Sequence, residues 1–120
     1  MRPVILNTME ENKLIAEFMG YSQPHPEYPN TTYWYKEGEA PCTVLLYDTD
    51  WNWLMEVVDK IEFLNDGAYD VNILKNGTEI INYSAKIIVV SNVADIDYED
   101  KIEHTYSAVL EFINYYNAIK

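Results

Sequence analysis

The sequence predicts an α+β domain in which a small, mostly antiparallel sheet is sandwiched between helices, a three-layer α/β/α arrangement. Three observations carry this expectation. Apolar residues recur at helical spacing in three separate stretches, two β-type runs flank Asn76-Gly77, and the runs "VLLY" and "IIVV" show no alternation. A strand without alternation is one covered on both faces. Such strands need a layer on each side, and three helices are available to supply it.

In "NTMEENKLIAEFMGY", Thr8 followed by Glu11 has the spacing of a capping box. Leu14, Ile15, Phe18 and Met19 form the apolar stripe, and Gly20 suits the C-terminal cap. Pro24, Pro26 and Pro29 then break regular structure, and two β-rich runs, Thr31 to Lys36 and Cys42 to Tyr47, flank a polar turn as in a hairpin. In "DTDWNWLMEVVDKIEFL", Asp48 or Asp50 caps a helix at the positive end of its dipole. Trp51, Leu54, Met55, Val58 and Ile61 recur at helical spacing, so Trp51 is expected in the core. Trp53 falls on a different side of the helix and is expected to flank that stripe, partly exposed. Glu56 and Lys60 are correctly ordered for an i,i+4 pair.

"AYDVNILKNGTEIINYS" predicts strands near 69–75 and 78–83 around a type I′ turn at Asn76-Gly77. "KIIVVS" and "VLLY" are expected to be central and paired with each other. A final helix opens near Tyr98 to Asp100, with Ile102, Tyr106, Val109, Leu110, Ile113 and Tyr116 on one stripe.

At 120 residues the chain fits one domain, 1–120, without repeat or linker. Its hydrophobic fraction of 48% argues for a packed core in spite of a net charge of -12. With 20 acidic residues against 8 basic ones, it offers little cationic surface to neutralise phosphates or anionic lipid heads, so direct nucleic-acid and membrane binding are not expected. No apolar run has the length of a spanning helix, and the opening residues make a poor secretory signal, which reads as a cytoplasmic protein. The single Cys42 has no intramolecular disulfide partner.

In "ENKLIAEFMG", "WNWLMEVVDKIEFL" and "KIEHTYSAVLEFINYYN" the chain resembles the phage ABA sandwich domain, a group of small proteins found in Bacteroidetes genomes and their phages. The resemblance covers about a third of the chain in three helical blocks. It implies an α/β/α sandwich and brings no activity, substrate or catalytic residue. Residues 1–9 fall outside it and read as an N-terminal extension.

Signatures of chemistry are weak throughout. Asp95, Asp97 and Glu99 alternate as in a calcium loop, but the sixth position is Asp100 where the turn needs Gly, and the twelfth is Tyr106 where a bidentate Glu is required. Asp100, His104 and Ser107 share one helix face, without the strand-to-helix elbow or oxyanion loop that a nucleophilic serine needs; His104 is expected on the exposed surface. His25 has no neighbouring His or Cys, Cys42 no nearby base, and no Gly-rich phosphate loop exists. No metal, cofactor or catalytic residue is therefore assigned.

What remains is an aromatic segment, Tyr28, Tyr33, Trp34 and Tyr35, beside a proline-rich connection, with Trp53 as a further contact candidate. Rigid aromatics on exposed segments anchor protein interfaces. Trp34 can instead pack inward over the sheet, in which case Tyr33 and Tyr35 face the other way. The leading expectation is a non-enzymatic module that binds another protein, or a second copy as a homodimer. Two rivals stand beside it. One is an acidic mimic of nucleic acid that blocks a DNA- or RNA-handling protein, and the other is a divalent-metal enzyme using Asp48, Asp50, Asp95 and Asp97.

Overall fold

The computed structural model of the chain describes residues 8–23, 34–36, 38, 42, 44–93 and 101–119. Its elements run α1 (Thr8–Phe18), α2 (Trp51–Phe63) continued by a 3-10 turn (Leu64–Asp66), β1 (Tyr69–Leu74), β2 (Gly77–Asn82), β3 (Ile87–Val93) and α3 (Lys101–Ile119). The fold is α+β, with these three helices and one antiparallel sheet in the order β1-β2-β3.

Helix α1 ends as its sequence predicts. Gly20 takes φ +95°, the Tyr21 N–H donates to Ala16 O at 2.9 Å, and the Gly20 N–H donates to Glu17 O at 3.1 Å. This pair of bonds is the Schellman motif, which a left-handed glycine makes possible. The cation missing from the last turn of α1 arrives from α2, where the Lys60 ammonium donates to Phe18 O and lies 4.8 Å from the Phe18 ring centroid. The helix begins at Thr8, whose side chain, and with it the expected capping box, lies outside the described set.

Helix α2 is capped by Asp50, whose Oδ1 accepts from the Asn52 N–H at 2.8 Å. Its buried face is Leu54, Val57, Val58 and Ile61, rotated from the expected stripe. Trp51 and Met55 are exposed at 39% and 37%, so the placement of Trp51 in the core is corrected. Trp53 instead packs against the core, edge-on to the buried Tyr47 with centroids 5.1 Å apart. The four residues 54, 57, 58 and 61 follow an i, i+3, i+4, i+7 path, and Trp53, one position before Leu54, borders that path.

The hairpin forms with a different turn. Leu74 pairs with Gly77, leaving Lys75 and Asn76 at the tip, and none of Lys75, Asn76 and Gly77 has positive φ, which a type I′ turn requires. The register sets Val71 opposite Ile80 and Ile80 opposite Val90, so packing across three strands overrides the local preference of Asn76-Gly77.

The sheet alternates more than its sequence suggests. Tyr69, Thr78, Ile80 and Val90 are buried, whereas Asp70, Asn72, Glu79 and Ser91 take the other side of their strands. A register shift between Ile80 and Ile81 gives β3 an extra residue. Ile88 therefore falls beside Ile81 on the outer side, and Ile87 and Ile88 are 50% and 57% exposed. The unbroken apolar run of β3 thus does not mark a strand covered on both faces. The segment Val44–Leu46 is not a strand at all, and Val44 is 58% exposed. Of the predicted hairpin, the described residues retain one bridge, Trp34 with Cys42.

The core is one cluster, centred on Phe112 of α3. Its ring lies 4.9 Å from Tyr69 of β1, 6.4 Å from Phe18 of α1 and 5.8 Å from Tyr116, so aromatic edges lock two helices to the sheet. Burial raises the pKa of the Tyr69 phenol, and the neighbouring Tyr115 adds to the effect. Helix α3 is buried more widely than a single stripe, through His104, Thr105, Tyr106, Ala108, Val109, Leu110, Phe112 and Ile113.

Candidate functional site

An open groove of about 580 Å³ lies between α1 and the segment around Val44 and Leu45. Met9, Asn12 and Lys13, at i, i+3 and i+4 on one side of α1, form one wall together with Glu10, Val44 and Leu45 the other, and Trp34 and Gln23 also line the groove. Met9 and Val44 are 79% and 58% exposed, while Trp34 is 7% exposed. The groove therefore has a tight aromatic contribution from Trp34 and loosely held apolar rims.

Backbone bonds fix Trp34 from both sides. Trp34 exchanges bonds with Cys42 (N to O 2.8 Å, and 3.1 Å in return), and Tyr35 exchanges two bonds of 2.8 Å with Ser22. Three short pieces of chain are thereby tied together without a regular strand. Tyr35, half-buried, follows the alternation expected beside an inward Trp34. Lys36 covers the Tyr21 ring at 5.5 Å.

Asn12 sets the spacing of the two walls. Its side chain, 5% exposed, donates to Leu45 O at 3.2 Å and to Asp48 Oδ1 at 2.9 Å, and its Oδ1 accepts from the Tyr106 hydroxyl at 2.8 Å. One amide thus joins α1, the Leu45–Asp48 segment and α3. A buried side chain with donors and acceptor all engaged is a rigid spacer.

Of the residues singled out in the sequence, Trp34 lines the groove and Tyr35 adjoins it in the chain, Trp53 packs against Tyr47 in the core margin, and Tyr28 and Tyr33 lie outside the described residues. Met9, Val44 and Asn12 were not anticipated. Met9 sits off the apolar stripe of α1, and that off-stripe position was the available signal. Val44 was hidden inside "VLLY", which reads as a buried strand.

Two of the four carboxylates proposed for metal chemistry are engaged elsewhere. Asp48 accepts from Asn12 and Asp50 caps α2, while Asp95, Asp97, Asp100 and His25 lie outside the described residues. Among the described residues no group of three His, Cys, Asp or Glu is arranged to hold a metal ion. The expected exposure of His104 is corrected, for it is fully buried. Its Nδ1 lies 2.7 Å from Thr78 Oγ1, which is also 3.1 Å from Thr105 Oγ1. A histidine held by a strand hydroxyl faces the sheet, so at His104 this side of α3 is part of the interior. Cys42 is half-buried against the core.

Comparison of the chain with family models, curated proteins and solved structures finds no match. Among the described residues no helix is long and apolar enough to cross a membrane.

Proposed function

We propose that the chain is a non-enzymatic accessory module whose groove between α1 and Val44–Leu45 receives an apolar segment of another protein. The observation that carries this reading is the exposure of Met9 and Val44 on opposite rims of a groove lined by Trp34. Methionine is suited to such a rim because its unbranched, polarisable side chain adapts to different apolar partners. Tyr28, Tyr33 and Tyr35, in the same segment as Trp34, belong to the proposed surface, and the setting is proposed to be cytoplasmic. Trp53 leaves it, because its ring is engaged with Tyr47.

Affiliation with the phage ABA sandwich domain is part of the same proposal. Its support is that each of the three resembling blocks forms a helix here. The three-layer arrangement which that fold implies would need a further layer over the side of the sheet carrying Asp70, Asn72 and Glu79.

The test is affinity capture from the native cell lysate at low and high salt, with a Met9→Glu/Val44→Glu variant alongside. Both side chains are exposed, so the variant keeps its fold. A salt-resistant partner lost in the variant supports the groove. A salt-sensitive nucleic-acid-handling partner retained by the variant supports acidic mimicry instead, because the net charge of -12 would then carry the binding. Absence of any partner overturns both and returns the question to the carboxylates, with calorimetric titration of Mg²⁺, Mn²⁺ and Ca²⁺.

A further inference from the structure

We infer that the outer face of α2 is a docking face for a basic amphipathic helix of another protein. Three large apolar side chains stand on that face. Trp51 and Met55 are each more than a third exposed, and Phe63 is 83% exposed. With Asp59 they occupy positions 51, 55, 59 and 63, an i±4 row that forms a ridge about 18 Å long. Single apolar residues on a surface need no explanation, whereas a row of them marks a contact site. Leu54, Val57, Val58 and Ile61 are buried on the other side of α2, so the row is held outward.

The charges on the face decide which partner fits. Glu56, beside Met55, and Asp59, within the row, are both exposed. Lys60 is the only basic residue of α2, and its ammonium is turned to Phe18 O at the end of α1. The exposed side of α2 therefore shows carboxylates without a cation, on a chain of net charge -12. A second copy would set Glu56 and Asp59 against acids of its own kind and be repelled. A cationic partner is instead attracted from a distance and meets complementary groups on arrival.

The shape of the partner follows from the ridge. A row of side chains on one helix fits the groove between rows on another, which a helical partner supplies. An apolar stripe on that helix covers Trp51, Met55 and Phe63, and lysines bordering the stripe reach Glu56, Asp59 and the indole face of Trp51. None of these α2 residues lines the groove between α1 and Val44–Leu45, so the two surfaces can be tested apart.

Isothermal titration calorimetry of the full chain with a synthetic amphipathic helical peptide of leucine and lysine tests the inference. Two further peptides serve as controls, one with the same composition in scrambled order and one with glutamate in place of lysine. Trp51→Ser/Phe63→Ser and Glu56→Lys/Asp59→Lys are each expected to weaken binding about tenfold or more. Glu103→Lys/Glu111→Lys on α3 makes the same change in net charge and should alter binding little at physiological salt, where distant charges are screened. All six positions are exposed, so the variants keep their fold, which circular dichroism checks. No binding of the amphipathic peptide, or equal binding of the scrambled one, overturns the inference. Equal loss in the α2 and α3 charge variants overturns it too, since net charge alone would then be responsible. Binding lost in Met9→Glu/Val44→Glu but kept in Trp51→Ser/Phe63→Ser moves the peptide to the groove. Self-association of the free chain that Phe63→Ser abolishes would assign the face to a second copy instead.

Discussion

Thr78 Oγ1 lies 2.7 Å from His104 Nδ1, and both residues are fully buried, so one hydroxyl on the central strand ties the sheet to α3 through a polar contact inside the core. The same oxygen is 3.1 Å from Thr105 Oγ1. Among the described residues His104 Nε2 has no hydrogen-bond partner, which makes Nδ1 the ring's anchor. Replacing Thr78 by valine keeps the shape and strands the imidazole. The expected cost is about 1–3 kcal/mol, the penalty for a buried polar group left unsatisfied. Thr78→Ser keeps the hydroxyl and should cost less. Urea unfolding of the two variants measures the difference, and equal stability of Thr78→Val and wild type would show that this contact contributes nothing.

Asn12 carries three hydrogen bonds between elements that are otherwise distant in sequence, to Leu45, Asp48 and Tyr106. Asn12→Ala should therefore destabilise by about 1–3 kcal/mol. Tyr106→Phe, which removes one of the three, should cost about 1 kcal/mol. Because Asn12 also spaces the walls of the groove, the first variant should lose a captured partner more readily than the second at equal folded fraction. Thermal unfolding followed by binding below the transition separates the two effects.

Trp51 and Trp53 should behave oppositely to what helical spacing alone suggests. Trp53→Ala removes an edge-on contact with the buried Tyr47 and should cost about 1–3 kcal/mol, less than the ~3–5 kcal/mol of a fully buried aromatic. Trp51→Ala, at an exposed position, should stay within about 1 kcal/mol of wild type. Acrylamide should quench Trp53→Phe, which retains the exposed indole, more strongly than Trp51→Phe. Reversed quenching would return Trp51 to the core.

What the sequence could and could not convey is visible in these residues. Gly20 was legible, and the cap of α2 was narrowed to Asp48 or Asp50, because a cap depends on its own turn; the structure selects Asp50. Strand positions within β1 and β2 were legible to within a residue. The turn between them was not, since Leu74 opposite Gly77 is chosen by packing across the three strands. Trp51 falls outside the core because an i, i+3, i+4 template accepts several rotations of one helix, and tertiary neighbours such as Tyr47, which takes Trp53, choose among them. His104 was misread for the same reason, as its partner Thr78 is 26 residues away in the chain. The groove had little local signature beyond the off-stripe Met9 and the aromatic Trp34, because its walls come from α1 and from a segment that mimics a strand.

Tyr69 gives a prediction in pH. The residue is 3% exposed, and burial, reinforced by Tyr115, raises the pKa of its phenol above the ordinary tyrosine value of about 10. Unfolding restores that ordinary value. A group whose folded pKa is raised binds its proton more tightly in the folded chain, so its contribution is complete below about pH 10 and is lost as pH rises through the folded value. Stability should therefore fall as pH rises above about 10 and through the folded value, and Tyr69→Phe should flatten this part of the profile. The substitution also removes the polar group of a buried side chain, so the variant should be the less pH-sensitive protein in alkali. Urea unfolding at successive pH values, with ultraviolet titration of the phenolates, measures this. An unchanged alkaline slope in Tyr69→Phe would mean that this phenol does not titrate with folding.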